Sequence, residues 1–221
     1  MSGKEIIKIT FTLVVIYLIG GLILALVYSK TSPIMFRNAE KQKQEALKQL
    51  LPDADVIPKL GDWTIHDKHA EYFVARKCGE LKINQVKDEK TGAMKEEREC
   101  VDPRDIGYVV QSFGKGYSSY INTLVAVDQD FIIQSINILS HAETPGLGDE
   151  IELPGFKNQF KGKDLDQLKV LKTDTTEYIQ AISGATISSR AVTEDAVKNG
   201  VAFLAKAVRE GGAPHGTEHH Q

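Results

Sequence analysis

The 221-residue sequence has no excess of positive charge, since 27 Lys and Arg residues stand against 30 Asp and Glu residues and the formal net charge is −3. Nucleic-acid binding needs a basic face that neutralises phosphates, so the composition excludes that class of protein. The hydrophobic fraction of 42% is too high for a disordered chain. The length allows one or at most two domains with a sizeable core.

The sequence also lacks the usual motifs for nucleotide binding and nucleophilic catalysis. It has no Walker loop, and Gly114 and Gly116 form only half of a GxGxxG motif with no helical pattern after them. A hydrolase with Ser183 as nucleophile and His141 and Glu143 as its helpers is disfavoured, because no nucleophile elbow surrounds the serine. We therefore predict no catalytic side chains.

Cysteine is scarce, with only Cys78 and Cys100 in the chain. They bracket a polar, charge-rich segment that is typical of an exposed excursion. A disulfide closing this segment would suit an oxidising compartment, and two free thiols are equally compatible with the sequence. No metal site is predicted at the cysteines, because no histidine lies near them at ligand spacing. We expect the histidine-containing tail, residues 211–221, to be disordered and solvated.

One long hydrophobic run is present, and it contains no charged residue. Ile9 to Ser29, ITFTLVVIYLIGGLILALVYS, spans 21 residues. As a helix this run covers about 30 Å, which is the thickness of the hydrocarbon core of a bilayer. A cleaved signal peptide is disfavoured, because its apolar core usually has only about 7–15 residues and ends in an A-x-A-like site. We predict a transmembrane helix over 9–29, preceded by a short segment, 1–8.

The rest of the chain predicts an α+β fold. Residues 30–59 are expected to form a stalk helix and linker, because Ile34 to Leu51 is rich in helix formers and Pro52 stops the helix. Residues 60–210 contain short apolar runs separated by turn residues, which are typical of a mainly antiparallel sheet. Apolar side chains at helical spacing predict a helix over Arg190–Arg209, so helices flank the sheet.

Two polar clusters remain as candidate binding elements. HAETPGLG, residues 141–148, follows a predicted strand, and its proline and glycines allow a sharp turn that approaches a flat ligand. An ordinary turn is the alternative. SGAT, residues 183–186, precedes the last helix, where backbone N–H groups and the helix dipole favour an anion such as a phosphate. A simple helix cap by Ser183 or Thr186 is the alternative there.

The two clusters together, about forty residues apart, resemble the covalent-FMN domain family of RnfG and NqrC. These are the flavoprotein subunits of the Rnf and Na⁺-pumping NADH:quinone oxidoreductase complexes. The resemblance covers most of the chain, including TSPIMFRNAEKQKQEAL, GYVVQSFGKGYSSYINTLVAVD, FKNQFKGK and ISGATISSRAV. Length and layout are more similar to the Rnf branch. The resemblance implies that residues 60–210 form an FMN-binding domain.

The resemblance also implies the site residues. In that family a flavin transferase, with FAD as donor, joins the threonine that ends SGAT to FMN through a phosphoester, which corresponds to Thr186 here. The remaining residues of the implied site come from the same two segments: Ser183, Gly184, Ala185 and Ser188 near the phosphate, and Glu143, Thr144, Gly146 and Leu147 near the flavin ring. Gln180 stands where the family's attachment motif usually carries Asp.

The function implied by the resemblance is electron transfer by covalently bound FMN. The protein would be one redox subunit of a membrane complex that couples ferredoxin:NAD oxidoreduction to ion translocation, with other membrane subunits and the flavin transferase as partners. The N-terminus would be cytoplasmic and the main domain would lie on the outer side of the inner membrane. Alternatives are an NqrC-like subunit of a Na⁺-translocating NADH:quinone oxidoreductase, and a non-redox membrane-anchored binding module in which SGAT is only a helix cap.

Overall fold

The structure is a computed structural model that describes residues 3–87 and 94–210. The chain divides into two units, Met1–Gln44 and Glu45–Gln221. The predicted C-terminal tail, with its histidines, lies outside the described residues. The second unit begins before the predicted domain start at residue 60, because the last residues of the N-terminal helix contribute to its core.

The N-terminal helix α1, Gly3–Leu50, is continuous and includes the predicted transmembrane segment and the predicted stalk helix up to its next-to-last residue. Over the uncharged run its large apolar side chains, such as Leu18 and Leu24, are exposed all around the helix. A helix that is apolar on every side is stable in a hydrocarbon environment and unstable in water. The first unit therefore has the length and composition of a membrane span.

The last turn of α1 belongs to the second unit. Ala46, Leu47 and Leu50 are buried, and they form one apolar cluster with side chains such as Phe73 of the sheet. The helix ends at Leu50, two residues before Pro52, because proline disfavours the helical conformation of the residue that precedes it.

The second unit contains a five-stranded antiparallel sheet in the order of the chain, which confirms the predicted α+β fold. Every neighbouring pair is antiparallel, as the apolar runs separated by turn residues indicated. The strands are β1 (Lys59–Ile65), β2 (Lys68–Lys87), β3 (Met94–Lys115), β4 (Tyr120–Val127) and β5 (Ile133–Ser140).

A disulfide joins Cys78 of β2 to Cys100 of β3, with the two Cα atoms 5.3 Å apart. The structure thus selects one of the two states that the sequence left open. The predicted excursion between the cysteines is the outer part of the β2–β3 ribbon, of which residues 88–93 lie outside the described chain. The backbone N–H of Cys78 also donates to Asp55 Oδ2 at 2.8 Å, which ties the ribbon to the segment before β1.

Short elements connect the sheet to the C-terminal helices. After β5 come a 3₁₀ turn at Gly148–Glu152, the helix α2 (Pro154–Lys157), a 3₁₀ turn at Asn158–Phe160, and the parallel pair β6 (Val170–Leu171) and β7 (Ile179–Gln180). The last helical stretch consists of α3 (Thr186–Arg190), a π-helical segment (Ala191–Val197) and α4 (Lys198–Glu210).

The C-terminal helical stretch begins at Thr186, four residues before the predicted start at Arg190. Residues 186–189 lack apolar periodicity, so the pattern alone did not include them. Hydrogen bonds replace apolar burial there, since the buried hydroxyls of Ser188 and Ser189 both have partners. Farther along, Val197, Val201 and other apolar side chains are fully buried in the main core.

Gly114 of β3 lets the sheet and the C-terminal helical stretch approach closely. A Cβ atom at this position would lie only 1.8 Å from the carbonyl oxygen of Ala191 in the π-helical segment. Only glycine allows such an approach between two backbones. This contact fixes the distance between the sheet and the helix whose first residue is Thr186.

Candidate functional site

The two polar clusters lie on the walls of one cavity of about 910 Å³. The ETPGLG loop forms one part of the wall, and residues 180–188 form another. Tyr117, from the β3–β4 turn, and Lys172, directly after β6, complete the lining. The volume lies within the range of small-molecule sites, about 300–1,000 Å³, so the cavity has the size of a cofactor pocket.

The ETPGLG loop is a tight turn around the carbonyl oxygen of Thr144. That oxygen accepts the N–H groups of Leu147 at 3.2 Å and Gly148 at 3.0 Å, and Gly146 has a φ of +72°. A positive φ favours glycine at the tip of this turn. The N–H groups of Leu147 and Gly148 therefore bond within the loop, whereas the Thr144 side chain is exposed and has no partner among the described residues.

The Leu147 side chain covers the start of the SGAT segment. It is 44% exposed, and its Cδ1 atom would lie 3.1 Å from a Cβ atom added to Gly184. Gly184 has a φ of +78°, a backbone conformation that is strained for any residue with a side chain. The two loops therefore meet at an apolar contact, and part of the leucine remains open to the cavity.

Within the described part of the chain, no side chain caps the helix that begins at Thr186. Ala185 occupies the capping position, and the first helical hydrogen bond runs from Ser189 N–H to Ala185 O at 3.0 Å. The predicted alternative, in which Ser183 or Thr186 caps the helix, is therefore not formed. The N–H groups at the start of a helix have no intrahelical acceptors, so this terminus can bind an anion.

Thr186 presents its hydroxyl at this uncapped terminus. Its side chain is half-buried in the cavity wall, and the hydroxyl has no hydrogen-bond partner among the described residues. Ser183 is exposed and its hydroxyl is likewise without a described partner. Of these two hydroxyls, only that of Thr186 belongs to the first residue of the helix, and it lies beside the cavity.

Ser189 holds the SGAT segment in its loop conformation. Its hydroxyl donates to Ala185 O at 2.9 Å and accepts the N–H of Ile182 at 3.0 Å. The side chain is fully buried, so both bonds are shielded from water. The sequence showed Ser189 only as part of a hydroxyl-rich run, and its role depends on the contact across the loop.

Glu143 joins three parts of the site through its carboxylate. The side chain is 5% exposed, and it accepts hydrogen bonds from Ser188 Oγ, from Tyr117 N–H at 3.2 Å and from Ser118 N–H at 3.0 Å. Burial alone would raise its pKa, but the hydrogen bonds from Ser188 and the β3–β4 turn outweigh burial and hold the pKa of Glu143 below its usual value. Its carboxylate is therefore ionised at neutral pH.

Two glycines make room for this carboxylate. A Cβ atom on Gly116 would lie 2.5 Å from Glu143 Oε1, and one on Gly148 would lie 2.8 Å from both Glu143 Cβ and Ser188 Oγ. Any larger residue would have to displace the carboxylate or its serine donor. The two glycines therefore belong to the site through packing, although they carry no functional group.

His141 fixes the backbone that leads into the ETPGLG loop. Its Nδ1 accepts the N–H of Glu143 at 3.1 Å, and its Nε2 faces Glu152 Oε1 at 3.0 Å. An accepting Nδ1 places the ring proton on Nε2. Since Ser183 bonds to neither His141 nor Glu143, the structure does not assemble a serine hydrolase triad.

Gln180 lies at the edge of the cavity, where hydrogen bonds hold both its side chain and its backbone. Its side-chain amide donates to Asp174 Oδ1 at 2.7 Å, and its backbone N–H donates to Gln159 Oε1 at 2.7 Å. The family resemblance leads one to expect a carboxylate at position 180. Here position 180 carries an amide instead, and the carboxylate of Asp174 is hydrogen-bonded to that amide.

Comparison with known proteins agrees with this geometry. The FMN-binding domain family matches residues 116–202. The G subunit of the proton-translocating ferredoxin:NAD⁺ oxidoreductase complex of Clostridium ljungdahlii is 34% identical, over 86% of this chain and 88% of that protein. The G subunit of the ion-translocating oxidoreductase complex of Methanosarcina acetivorans is 32% identical, over 92% of this chain and 96% of that protein.

The chain belongs to the G-subunit family of ion-translocating oxidoreductase complexes. A solved structure of the C subunit of the Na⁺-translocating NADH-quinone reductase from Parabacteroides distasonis is also similar, with 20% identity and a TM-score of 0.47. That similarity covers 77% of this chain and 94% of the solved chain.

The residues of this G-subunit family member fit an FMN. The cavity has an uncapped helix terminus for a phosphate, a free hydroxyl at that terminus in Thr186, and an apolar side chain, Leu147, beside the space for a flat ring. Such a combination of apolar walls and few placed polar groups is typical of cofactor sites.

All but one of the residues of the flavin site that the family resemblance implied line the cavity of this family member. The exception is Gly146, which forms the tip of the turn. The residues that line the cavity but were not predicted as site residues include Tyr117, Lys172, Ala181, Ile182 and Ile187. Ser189, which holds the loop, was not predicted either. Tyr117 and Lys172 lie outside the two polar clusters that the sequence analysis identified. Tyr117 belongs to a segment that resembles the family, GKGYSS, and Lys172 belongs to none of the resembling segments.

Proposed function

We propose that this protein carries electrons through an FMN that is joined to Thr186 by a phosphoester bond, as the G subunit of a membrane complex that couples ferredoxin:NAD⁺ oxidoreduction to ion translocation. The observation that carries the proposal is the free hydroxyl of Thr186 at an uncapped helix terminus on the wall of the cavity. Membership in the G-subunit family and the match to the FMN-binding domain support the choice of cofactor and complex.

The attachment needs an accessible hydroxyl, and Thr186 provides one. In the transfer, the Thr186 oxygen forms a bond to the FMN phosphorus of FAD, the pyrophosphate bond breaks and AMP leaves, while the hydroxyl proton passes to a base of the flavin transferase. A competing internal hydrogen bond would have to break first, and Thr186 has none among the described residues. Ser188 is less suitable, because its hydroxyl is buried and already bonded to Glu143.

The helix terminus stabilises the negative charge of the resulting phosphodiester. The first N–H groups of the helical stretch that runs from Thr186 to Glu210 point toward the terminus and lack a side-chain cap. Backbone donors and the positive end of the helix dipole favour an anion at this place by about 0.3–1 kcal/mol or more. Small residues at Gly184 and Ala185 leave space for the phosphate oxygens.

The bound flavin supplies electron transfer, which no amino-acid side chain of the site provides. The chain's own part is to hold the ring and to set the charge around it. Leu147 contributes an apolar surface, and the ionised carboxylate of Glu143 places a fixed negative charge in the cavity wall. Thr144 offers an exposed hydroxyl that can donate to a ring heteroatom or carbonyl oxygen.

The membrane location and the partners complete the proposal. The apolar part of α1 anchors the protein in the inner membrane, with the N-terminus in the cytoplasm and the FMN-binding domain on the outer side. The disulfide between Cys78 and Cys100 supports an oxidising compartment for the domain. Its partners are the other membrane subunits of the complex and a flavin transferase.

The test is peptide mass analysis of the full-length protein, extracted from membranes after coexpression with its flavin transferase. We expect the mass of an FMN phosphoester on the peptide that contains Thr186. The variant Thr186→Ala should keep the fold but lose the adduct and the flavin fluorescence of the denatured band, because the attachment atom is gone.

Ser183→Ala is the matched control, since it removes the hydroxyl of the same segment that also has no hydrogen-bond partner among the described residues, and it should leave the adduct in place. An unaltered protein without the adduct, or a Thr186→Ala variant that still fluoresces after denaturation, would contradict the proposal.

A further inference from the structure

Exposed apolar side chains of the second unit concentrate at the cavity. Among its described residues, the large apolar side chains that are exposed are Val101, Tyr117, Leu147, Leu153 and Ile187. Tyr117, Leu147 and Ile187 line the cavity. Exposed apolar side chains that gather at one place mark a binding surface, whereas single ones do not.

Tyr117 is the most exposed of these side chains, with 73% of its surface accessible. Several other aromatic side chains of the domain pack against a second ring, as in the stacked rings of Trp63 and Phe203 at 4.3 Å and of Tyr108 and Phe131 at 6.0 Å. Tyr117 has no ring contact among the described residues. Its ring is therefore available to a ligand in the cavity.

The backbone of Tyr117 is fixed although its side chain is exposed. The β3–β4 turn closes with a hydrogen bond from Gly116 N–H to Ser119 O at 2.9 Å. The N–H groups of Tyr117 and Ser118 donate to the buried carboxylate of Glu143, at 3.2 Å and 3.0 Å. A ring on an ordered backbone loses less conformational entropy on binding than a ring on a flexible loop.

The same carboxylate links Tyr117 to the attachment helix. Glu143 accepts from Tyr117 N–H and also from the hydroxyl of Ser188, which lies two residues after Thr186. Tyr117 is thus held next to the start of that helix by a buried bond network. The isoalloxazine ring of FMN is flat and aromatic, and an aromatic side chain stacks on such a ring at centroid distances of about 4.5–7 Å.

We propose that the side chain of Tyr117 stacks on the isoalloxazine ring of the attached flavin. This inference rests on the proposed function, and it adds a ring-binding residue from a third segment of the chain. Leu147 then supplies an aliphatic contact from the ETPGLG loop, and Glu143 is the positioning residue that holds both segments to the helix.

The test is the fluorescence of the attached flavin in the full-length protein, extracted from membranes after coexpression with the flavin transferase. Electron transfer from a stacked phenol or indole quenches an excited flavin, whereas an aliphatic side chain does not. The ratio of native to denatured fluorescence measures this quenching and cancels differences in the yield of attachment.

We expect Tyr117→Leu to raise the ratio by about threefold, because the stacked quencher is lost. Tyr117→Trp should keep the ratio at or below that of the unaltered protein, since indole also stacks and quenches. Tyr178→Leu is the matched control, because this tyrosine lies next to β7 outside the lining of the cavity, and it should not change the ratio.

The outcomes separate the two proposals. If peptide mass analysis finds no FMN on Thr186 in the unaltered protein, the proposed function fails, and this inference fails with it. If the adduct is present but the ratio is the same for Tyr, Leu and Trp at position 117, the proposed function stands and the stacking does not. If Tyr117→Leu lacks the adduct, the fluorescence ratio of Tyr117→Trp is the test. A ratio at or below that of the unaltered protein supports stacking, and a higher ratio contradicts it.

Discussion

At the scale of single residues, the side chain of Glu143 is buried and hydrogen-bonded within the protein, although Glu143 belongs to the ETPGLG loop. The family resemblance implied a contact with the flavin ring. The structure places the carboxylate in the cavity wall with hydrogen bonds from Ser188, Tyr117 and Ser118. Its negative charge can still act on a ligand in the cavity, but its hydrogen-bonding capacity is largely used within the protein.

The first prediction concerns the stability that Glu143 contributes. Because the folded-state pKa of Glu143 is lowered, its stabilising contribution is complete above the unfolded-state pKa and is lost as the pH falls through the folded-state pKa. At neutral pH, Glu143→Gln should therefore destabilise the domain by about 1–3 kcal/mol, since an amide cannot accept from all three donors. Thermal unfolding of the detergent-extracted protein, followed from pH 7 toward acid, measures this.

The destabilisation caused by Glu143→Gln should shrink at acid pH, because the carboxyl of the unaltered protein is then also protonated. Glu152→Gln is the control, since Glu152 is exposed and should change stability by less than about 0.5 kcal/mol. An effect of Glu143→Gln that is small, or the same at all pH values, would show that the network does not stabilise the fold.

At the scale of elements, the site depends on how the C-terminal helical stretch sits on the sheet. The apolar spacing of the sequence predicted a helix from Arg190 onward. The structure adds the helix α3, which starts at Thr186, and shows that a π-helical segment follows it. π-helical segments often occur at functional sites. Here the segment directly follows the helix that begins at Thr186, and it packs against β3 at Gly114.

The second prediction concerns Gly114. Gly114→Ala should destabilise the domain by about 3 kcal/mol or more, because the new methyl group would overlap the carbonyl of Ala191 and push the helix from the sheet. Flavin attachment at Thr186 should fall as well. The measurements are the thermal midpoint and the yield of the FMN peptide.

Gly155→Ala provides the comparison for this prediction, because a Cβ atom at Gly155 meets no atom within 4 Å. That variant should keep both the midpoint and the attachment yield. If Gly114→Ala behaved in the same way, the close approach of β3 and the helix would not control the site.

At the scale of the whole molecule, the chain consists of a membrane-type helix and a domain that includes the last turn of that helix. The unit boundary falls between Gln44 and Glu45, ahead of the buried residues Ala46, Leu47 and Leu50. The average composition conceals this division, since the uncharged run is far more apolar than the rest of the chain. Without that run, the hydrophobic fraction of the remaining residues is lower than the 42% of the whole chain.

The third prediction uses two truncations that differ only in this last turn. Removing residues 1–44 should release a soluble, folded domain, because the membrane-type part of the helix is gone and the domain core is complete. Removing residues 1–50 should cost about 3–5 kcal/mol or prevent folding, because the buried side chains of Leu47 and Leu50 are lost. Solubility and thermal unfolding of the two products measure this, and equal stabilities would contradict it.

Local patterns were enough for the elements whose cause is local. The membrane-type helix follows from consecutive uncharged residues, the antiparallel sheet from short apolar runs between turns, and the ETPGLG turn from proline and glycine. The resemblance in HAETPGLG and SGAT was enough for the family, and the comparison confirmed it. In each of these cases the information lies in short segments that can be interpreted without knowing which of them meet in the fold.

The sequence by itself thus determined the fold class, the membrane-type helix and the two loops of the candidate site. Only the tertiary structure decided that the two cysteines pair, that Glu143 bonds to Ser188 and to the β3–β4 turn, and that Tyr117 borders the cavity. The physical reason is sequence separation. A hydrogen bond, disulfide or cavity wall formed by distant segments depends on where the sheet and the helix bring those segments together, and no local pattern records that distance.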